Sequence, residues 1–156
     1  MGNNVYFVDA EVLSVVETEL PDVIKKTGCL CVMLVERSGV VLSSAGEPPL
    51  HPNECGVTAA GIYAAMNLMI KATRANSFTI IVPANEAMWM FRFVSDQIFL
   101  LAYHPNYSEE TSRNTHTVLD ELSKKAKLSL SRKSTDPKVV ENLQYINDRL
   151  DELLRY

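Results

Sequence analysis

Cys29-Leu30-Cys31-Val32-Met33-Leu34-Val35-Glu36-Arg37-Ser38-Gly39-Val40-Val41-Leu42-Ser43-Ser44-Ala45 is the stretch that decides the fold of this 156-residue chain. Residues 29–35 are apolar without alternation, the pattern of a strand covered on both faces. Arg37-Ser38-Gly39 supplies a turn, and residues 40–45 return as a second strand. Strands joined by so short a turn are antiparallel neighbours. Gly46 to Pro52 holds Pro48, Pro49 and Pro52 and reads as a rigid loop.

Downstream, Asn53 to about Thr73 is helical in pattern and unusual in composition. Gly56, Ala60 and Ala64 fall four apart on one face, continued by Leu68, and Ala59, Gly61 and Ala65 add further small residues. Such a stripe lets another backbone approach closely, either within the chain's own core or across to a second chain. Three strands follow at Phe78–Val82, Met88–Val94 and Gln97–Tyr103. Pro83 to Ala87 is a turn-rich connection, and Ser95-Asp96 is short enough for a two-residue hairpin. Trp89, Phe91 and Phe93 share one face of the middle strand, while Met88, Met90 and Arg92 share the other. Apolar weight on both faces calls for helices on both sides of the sheet. Ser108 to about Leu128 is the third helix, with Thr111, Val118, Leu119, Leu122, Ala126 and Leu128 near its buried side.

Residues 129–136 read as a polar linker. Asp136-Pro137 then announces a helix over 137–156, a capping residue followed by proline at the first helical position. Val139, Leu143, Ile146, Leu150 and Leu153 recur along it in steps of four and three, a heptad seam suited to strapping the domain or binding a partner. Upstream of the opening stretch, residues 1–8 are a tail. Asp9 caps a helix over 9–26, with Leu13, Val16, Leu20, Val23 and Ile24 at helical spacing. Pro21 predicts a kink or break near Glu19–Pro21. The order is α-β-β-α-β-β-β-α within one domain, residues 9–128. It makes an α/β (α+β) fold, a five-stranded antiparallel sheet with helices on both faces, plus the C-terminal amphipathic helix.

Composition bounds the function. Hydrophobic residues are 47% and charged residues 22%, ordinary for a globular domain of this size. A net charge of -4 with scattered Lys and Arg argues against a nucleic-acid surface. Apolar runs such as Ile98–Tyr103 are too short to cross a bilayer, so no membrane insertion is expected. The N-terminal residues lack the pattern of a signal peptide, and Tyr6 stands where myristoylation needs Ser or Thr. With only three cysteines and no secretory route, Asn106-Tyr107-Ser108 is not expected to carry glycan, and the chain reads as cytoplasmic.

Catalytic devices are hard to find. Neither Gly-x-x-x-x-Gly-Lys-Ser/Thr nor Gly-x-Gly-x-x-Gly occurs. His51, His104 and His116 are spread over a loop, a strand end and a helix, without a second ligand at metal spacing. Cys29 and Cys31 share one strand face, but only Cys55 remains to complete a site, so the thiols read as core filling. Glu17 with Glu19, Glu109 with Glu110, and Asp151 with Glu152 read as solvated helix faces. Arg92 interrupts a Met- and aromatic-filled strand, as a salt-bridge partner or as a group reaching a partner's phosphate. No cofactor, metal or catalytic residue is expected.

The run Val32-Met33-Leu34-Val35-Glu36-Arg37-Ser38-Gly39-Val40-Val41-Leu42-Ser43-Ser44-Ala45-Gly46 resembles the first hairpin of the roadblock/dynein light chain superfamily. Thr58-Ala59-Ala60-Gly61-Ile62-Tyr63-Ala64-Ala65-Met66 resembles that family's second helix. The resemblance spans residues 9 to about 128. Ser43-Ser44-Ala45-Gly46 and the second-helix run are most similar to the bacterial MglB branch, partners of the Ras-like GTPase MglA. The resemblance implies a homodimer that pairs the third strand with its twofold mate and packs the second helices together. Phe78, Thr79, Ile80, Ile81, Val82, Ala60 and Ala64 would form that interface. It also implies a small-GTPase surface on the paired helices, here Ala60, Ala64, Ala65, Asn67, Leu68 and Lys71, that stimulates hydrolysis without an inserted arginine. The seam from Val139 to Leu153 would be a further partner contact. Two other readings stay open: a PAS- or GAF-like small-molecule sensor, and a dimeric adaptor without effect on GTP hydrolysis.

Overall fold

The computed structural model describes residues 10–73, 79–84 and 86–134. The expected cap Asp9, the strand residue Phe78, the tail 1–8 and the seam Val139, Leu143, Ile146, Leu150 and Leu153 lie outside those residues. The elements are α1 (Ala10–Thr27), β1 (Cys31–Glu36), β2 (Val41–Gly46), α2 (Pro52–Thr73), β3 (Thr79–Ala84), β4 (Ala87–Phe93), β5 (Ile98–His104) and α3 (Glu109–Ser134). The strands lie in the order β2-β1-β5-β4-β3, antiparallel at every step.

β1 lies at the heart of the fold because its apolar run serves two cores. Val32 and Leu34 join Val16, Leu20, Leu100 and Leu119 in the layer under α1 and α3. Cys31, Met33 and Val35 join Tyr63, Phe91 and Phe99 in the layer under α2. All five β1 residues from Cys31 to Val35 are fully buried, which is why no polar alternation appears in the sequence.

The β1–β2 turn is closed by Gly39 N–H donating to the Glu36 carbonyl at 2.8 Å, with Gly39 at φ 97°. That left-handed backbone is open to glycine at little cost. Space constrains it further. A Cβ on Gly39 would sit 3.0 Å from the Val57 Cα, and a Cβ on Gly56 would collide with the Gly39 carbonyl oxygen. The first turns of α2 therefore press directly on the hairpin, backbone to backbone. Gly56→Ala is expected to cost about 1–3 kcal/mol, the range for overpacking a tight contact, and urea unfolding measures it. Gly61→Ala meets nothing within 4 Å and serves as the control, with no loss of stability.

Helix α1 runs through Pro21 without a break, contrary to the sequence expectation. Pro21 and Glu17, the residue whose carbonyl loses its donor, are both exposed, so that carbonyl is left open to solvent rather than buried. The helix ends with Gly28 at φ 71° donating to the Ile24 carbonyl, a left-handed cap. Asn114 of α3 donates to the Lys26 carbonyl at 2.8 Å, tying that end to its neighbour.

Helix α3 opens on a reciprocal cap: Thr111 N–H donates to Ser108 Oγ and Ser108 N–H to Thr111 Oγ1, each at 3.0 Å. It continues to Ser134, so residues 129–134 of the expected linker 129–136 are helical backbone. No Gly or Pro occurs between Glu109 and Ser134, and the serines cost only a few tenths of a kcal/mol each in helix propensity. Leu128, expected near the buried side, is exposed.

The two hairpins of the C-terminal half also differ from expectation. Pairing of β3 with β4 runs on to Ala84↔Ala87, including Pro83↔Met88, so the tight connection falls there. Proline is tolerated because β3 is the edge strand among the described residues, with one side outside the ladder. The Ser95-Asp96 connection is wider: both Val94 and Ser95 N–H donate to the Ile98 carbonyl, and β5 starts only at Ile98.

Candidate protein-interaction surface

Helix α2 changes character halfway along. Cys55, Gly56, Ala59, Ala60 and Tyr63 are buried against the sheet. Tyr63 stacks on Phe99 at 5.3 Å, meets Phe93 edge-on at 5.0 Å, and donates its hydroxyl to the Asp96 carbonyl at 2.9 Å. Beyond Tyr63 no residue from Ala64 to Thr73 is buried, and Lys71 is the one charge among them. Leu68 is 77% and Met69 61% exposed. With Val57, Gly61, Ala64 and Ala65, all exposed, they form a smooth apolar strip along the outward face. A helix apolar on both faces has a second contact to make beyond its own core. By length and composition α2 would suffice to cross a membrane, but one of its faces is already taken by the sheet.

The residues expected at this surface divide accordingly. Ala64, Ala65, Leu68 and Lys71 are exposed and Asn67 is half-buried. Ala60 is 8% exposed, and this corrects its place in the outward set. It sits on the buried arc with Gly56 and Tyr63 because a four-residue step drifts around the helix, so the Gly56–Ala60–Ala64 row passes from core to surface. Val57, Gly61 and Met69 belong to the strip although the small-residue stripe does not single them out; their signal is that polar residues are sparse along the exposed side of the helix. The backbone of Thr79, Ile80, Ile81 and Val82 lies on β3, the last strand in the sheet order. Ile81 is exposed there, a large apolar side chain on an edge that is unpaired among the described residues.

The thiols, the buried arginine and the buried histidine among the described residues are held inside the fold. Among the described residues no group of three or more His, Cys, Asp or Glu could hold a metal ion. Cys29, Cys31 and Cys55 are buried free thiols, and burial pushes Cys31 up to about 12, far from a reactive thiolate. Arg92 is buried and reaches not a surface but α3, where it pairs with Asp120 and donates to Ser123 Oγ at 3.4 Å.

His104 is buried at the end of β5, its Nε2 2.6 Å from Thr115 Oγ1 of α3. Burial holds its pKa below the ordinary histidine value. The unfolded chain therefore takes up the proton first. Stability from this residue is fully present above about pH 6.5 and is lost as pH falls toward the lowered folded pKa. Chemical denaturation at stepped pH is expected to show this decline, and His104→Gln to flatten it.

Set beside known structures, this arrangement is the roadblock fold. The chain is similar to Myxococcus xanthus MglB, with a TM-score of 0.68 at 19% identity, covering 85% of this chain and 100% of that one. It is also similar to the gliding protein MglB of Thermus thermophilus, with a TM-score of 0.58 at 13% identity, covering 80% and 99%. A Roadblock/LC7 domain from Streptomyces avermitilis superposes with a TM-score of 0.62 at 12% identity, covering 74% and 97%. No protein-family model and no curated protein sequence matches the chain.

Proposed function

We propose that the protein is a homodimeric, non-catalytic regulator of a Ras-like small GTPase of the MglA type, acting in the cytoplasm by protein–protein contact. The observation that carries this reading is the outward half of α2, an apolar, nearly uncharged helix face that no core among the described residues buries. The β3 edge, unpaired among the described residues, is the second support, because it offers a second copy a strand on which to continue the same sheet. The likeness to MglB structures supports the choice of partner.

In this reading Ile81 and its strand neighbours, with Ala64, Ala65 and Leu68, meet the second copy. The rim carrying Asn67 and Lys71 faces the GTPase. The C-terminal stretch bearing Val139, Leu143, Ile146, Leu150 and Leu153 adds a further apolar contact to a partner. The protein supplies no catalytic group; it stimulates by rearranging the GTPase's own.

The test is direct. Mixed with the small GTPase encoded by its own organism, the purified protein is expected to accelerate GTP hydrolysis while showing none alone. Binding without acceleration would leave an adaptor in place of a regulator. Absence of binding would remove the GTPase from the reading altogether.

A further inference from the structure

Between α2 and the sheet, on the Trp89 side of Tyr63, lies a cleft of about 130 Å³. Its wall is Cys55, Thr58, Ala59 and Ile62 of α2, its floor is Trp89, Phe91 and Leu101, and Leu50 stands at its mouth. We propose that this cleft binds a small, neutral, apolar molecule up to the size of a single aromatic ring. The inference is independent of the GTPase reading above.

Three observations carry it. The space is far larger than the voids that close-packed interiors leave, and apolar cavities of this order hold a benzene-sized guest. It exists because Ala59 is small where a larger side chain would fill the gap under the helix. Second, the lining offers water almost nothing. The Cys55 thiol already donates to the Leu50 carbonyl at 3.8 Å, and Thr58 is exposed at the rim. A water needs two to four polar partners to be held, so hydrocarbon replaces nothing of value on entry. Third, among the described residues no Asp, Glu, Lys, Arg or His lines the cleft, so a charged guest would lose its hydration without compensation. Leu50, half exposed on the proline-bordered loop, and the partly exposed Trp89 mark the way in.

Trp89 is the single tryptophan of the chain, so its fluorescence reports occupancy alone. Titrating the full chain with benzene is expected to give a saturable change in Trp89 emission. Matching shifts should appear in the methyl resonances of Ile62 and Leu101, and benzoate should produce neither. Ala59→Leu fills the space and Thr58→Phe closes the rim. Each is expected to weaken benzene binding by about tenfold or more, the scale set by one misplaced methylene in an apolar pocket. Thr58 is exposed, so Thr58→Phe remains informative if Ala59→Leu fails to fold. The proposal is overturned by non-saturable signals, by equal binding of benzoate, or by both variants binding as the parent does. Benzene affinity that falls as protein concentration rises would also overturn it, since a second copy would then be filling the cleft.

Discussion

Leu68→Asp is expected to convert the proposed dimer to monomers at concentrations where the parent chain sediments as a pair, as read by analytical ultracentrifugation. Leu68 is 77% exposed in the protomer, so nearly its whole side chain is available for burial against a partner. Full burial of a leucine is worth about 1.5–3 kcal/mol. A twofold interface counts the residue twice, and the aspartate adds a desolvation cost. The dissociation constant should therefore rise by about a hundredfold or more. Ala64→Arg reaches the same end by bulk and charge on the same strip, and should abolish stimulation of the GTPase together with pairing. Both residues lie on the surface of the protomer, so the circular dichroism spectrum should not change. Variants that pair and stimulate as the parent does would place the interface elsewhere.

The second large effect lies on the opposite face. Asp120→Ala removes the carboxylate that pairs with Arg92, a residue only 5% exposed between β4 and α3. Breaking a buried pair by deleting one partner costs about 3–5 kcal/mol, because the remaining charge stays desolvated. Asp120 is itself 24% exposed and also holds Lys124, so the lower end applies, about 3 kcal/mol. For a domain of this size that is a fall in Tm of roughly 6–12 °C. Replacing both residues by apolar ones, Arg92→Met with Asp120→Leu, should recover most of the loss, which separates the cost of a buried charge deprived of its carboxylate from lost packing. The Asp120 carboxyl is held below the usual carboxylate range, first by the hydrogen bond from Lys124 and then by the Arg92 charge. Its contribution is thus present at neutral pH and is lost only as pH falls through that lowered value.

Much of the architecture was legible because single residues left one option. Gly39 could only be a turn, and the unalternating run before it could only be a strand buried twice. The errors fall where local pattern and tertiary contact disagree. The serines after Leu128 looked like linker, yet nothing in them stops a helix already nucleated by the Ser108–Thr111 cap. Pro83 looked like a turn, yet an edge strand has a side on which a missing donor goes unnoticed. Ser95-Asp96 looked tight, while the chain spreads the reversal over Val94 to Ile98. Arg92 was legible as a salt-bridge residue but its partner was not, because Asp120 is distant in sequence and sits on a helix face that reads as solvated. The same limit governs the surface on α2. Small residues announced a close approach without saying to what. The structure divides them, Gly56 against the Gly39 backbone, Ala60 into the core, Ala64 and Ala65 outward.

The strand order carries a consequence for assembly geometry. With β3 at one border and β2 at the other, self-pairing of β3 would exhaust one border and leave two β2 borders at the far ends of a merged sheet. At the usual strand spacing they would stand roughly 40 Å apart, facing away from each other and related by the same axis. Such a particle would be bivalent by construction: whatever met one flank would find an identical berth on the other, and growth into a chain would need a second kind of contact that the first does not supply.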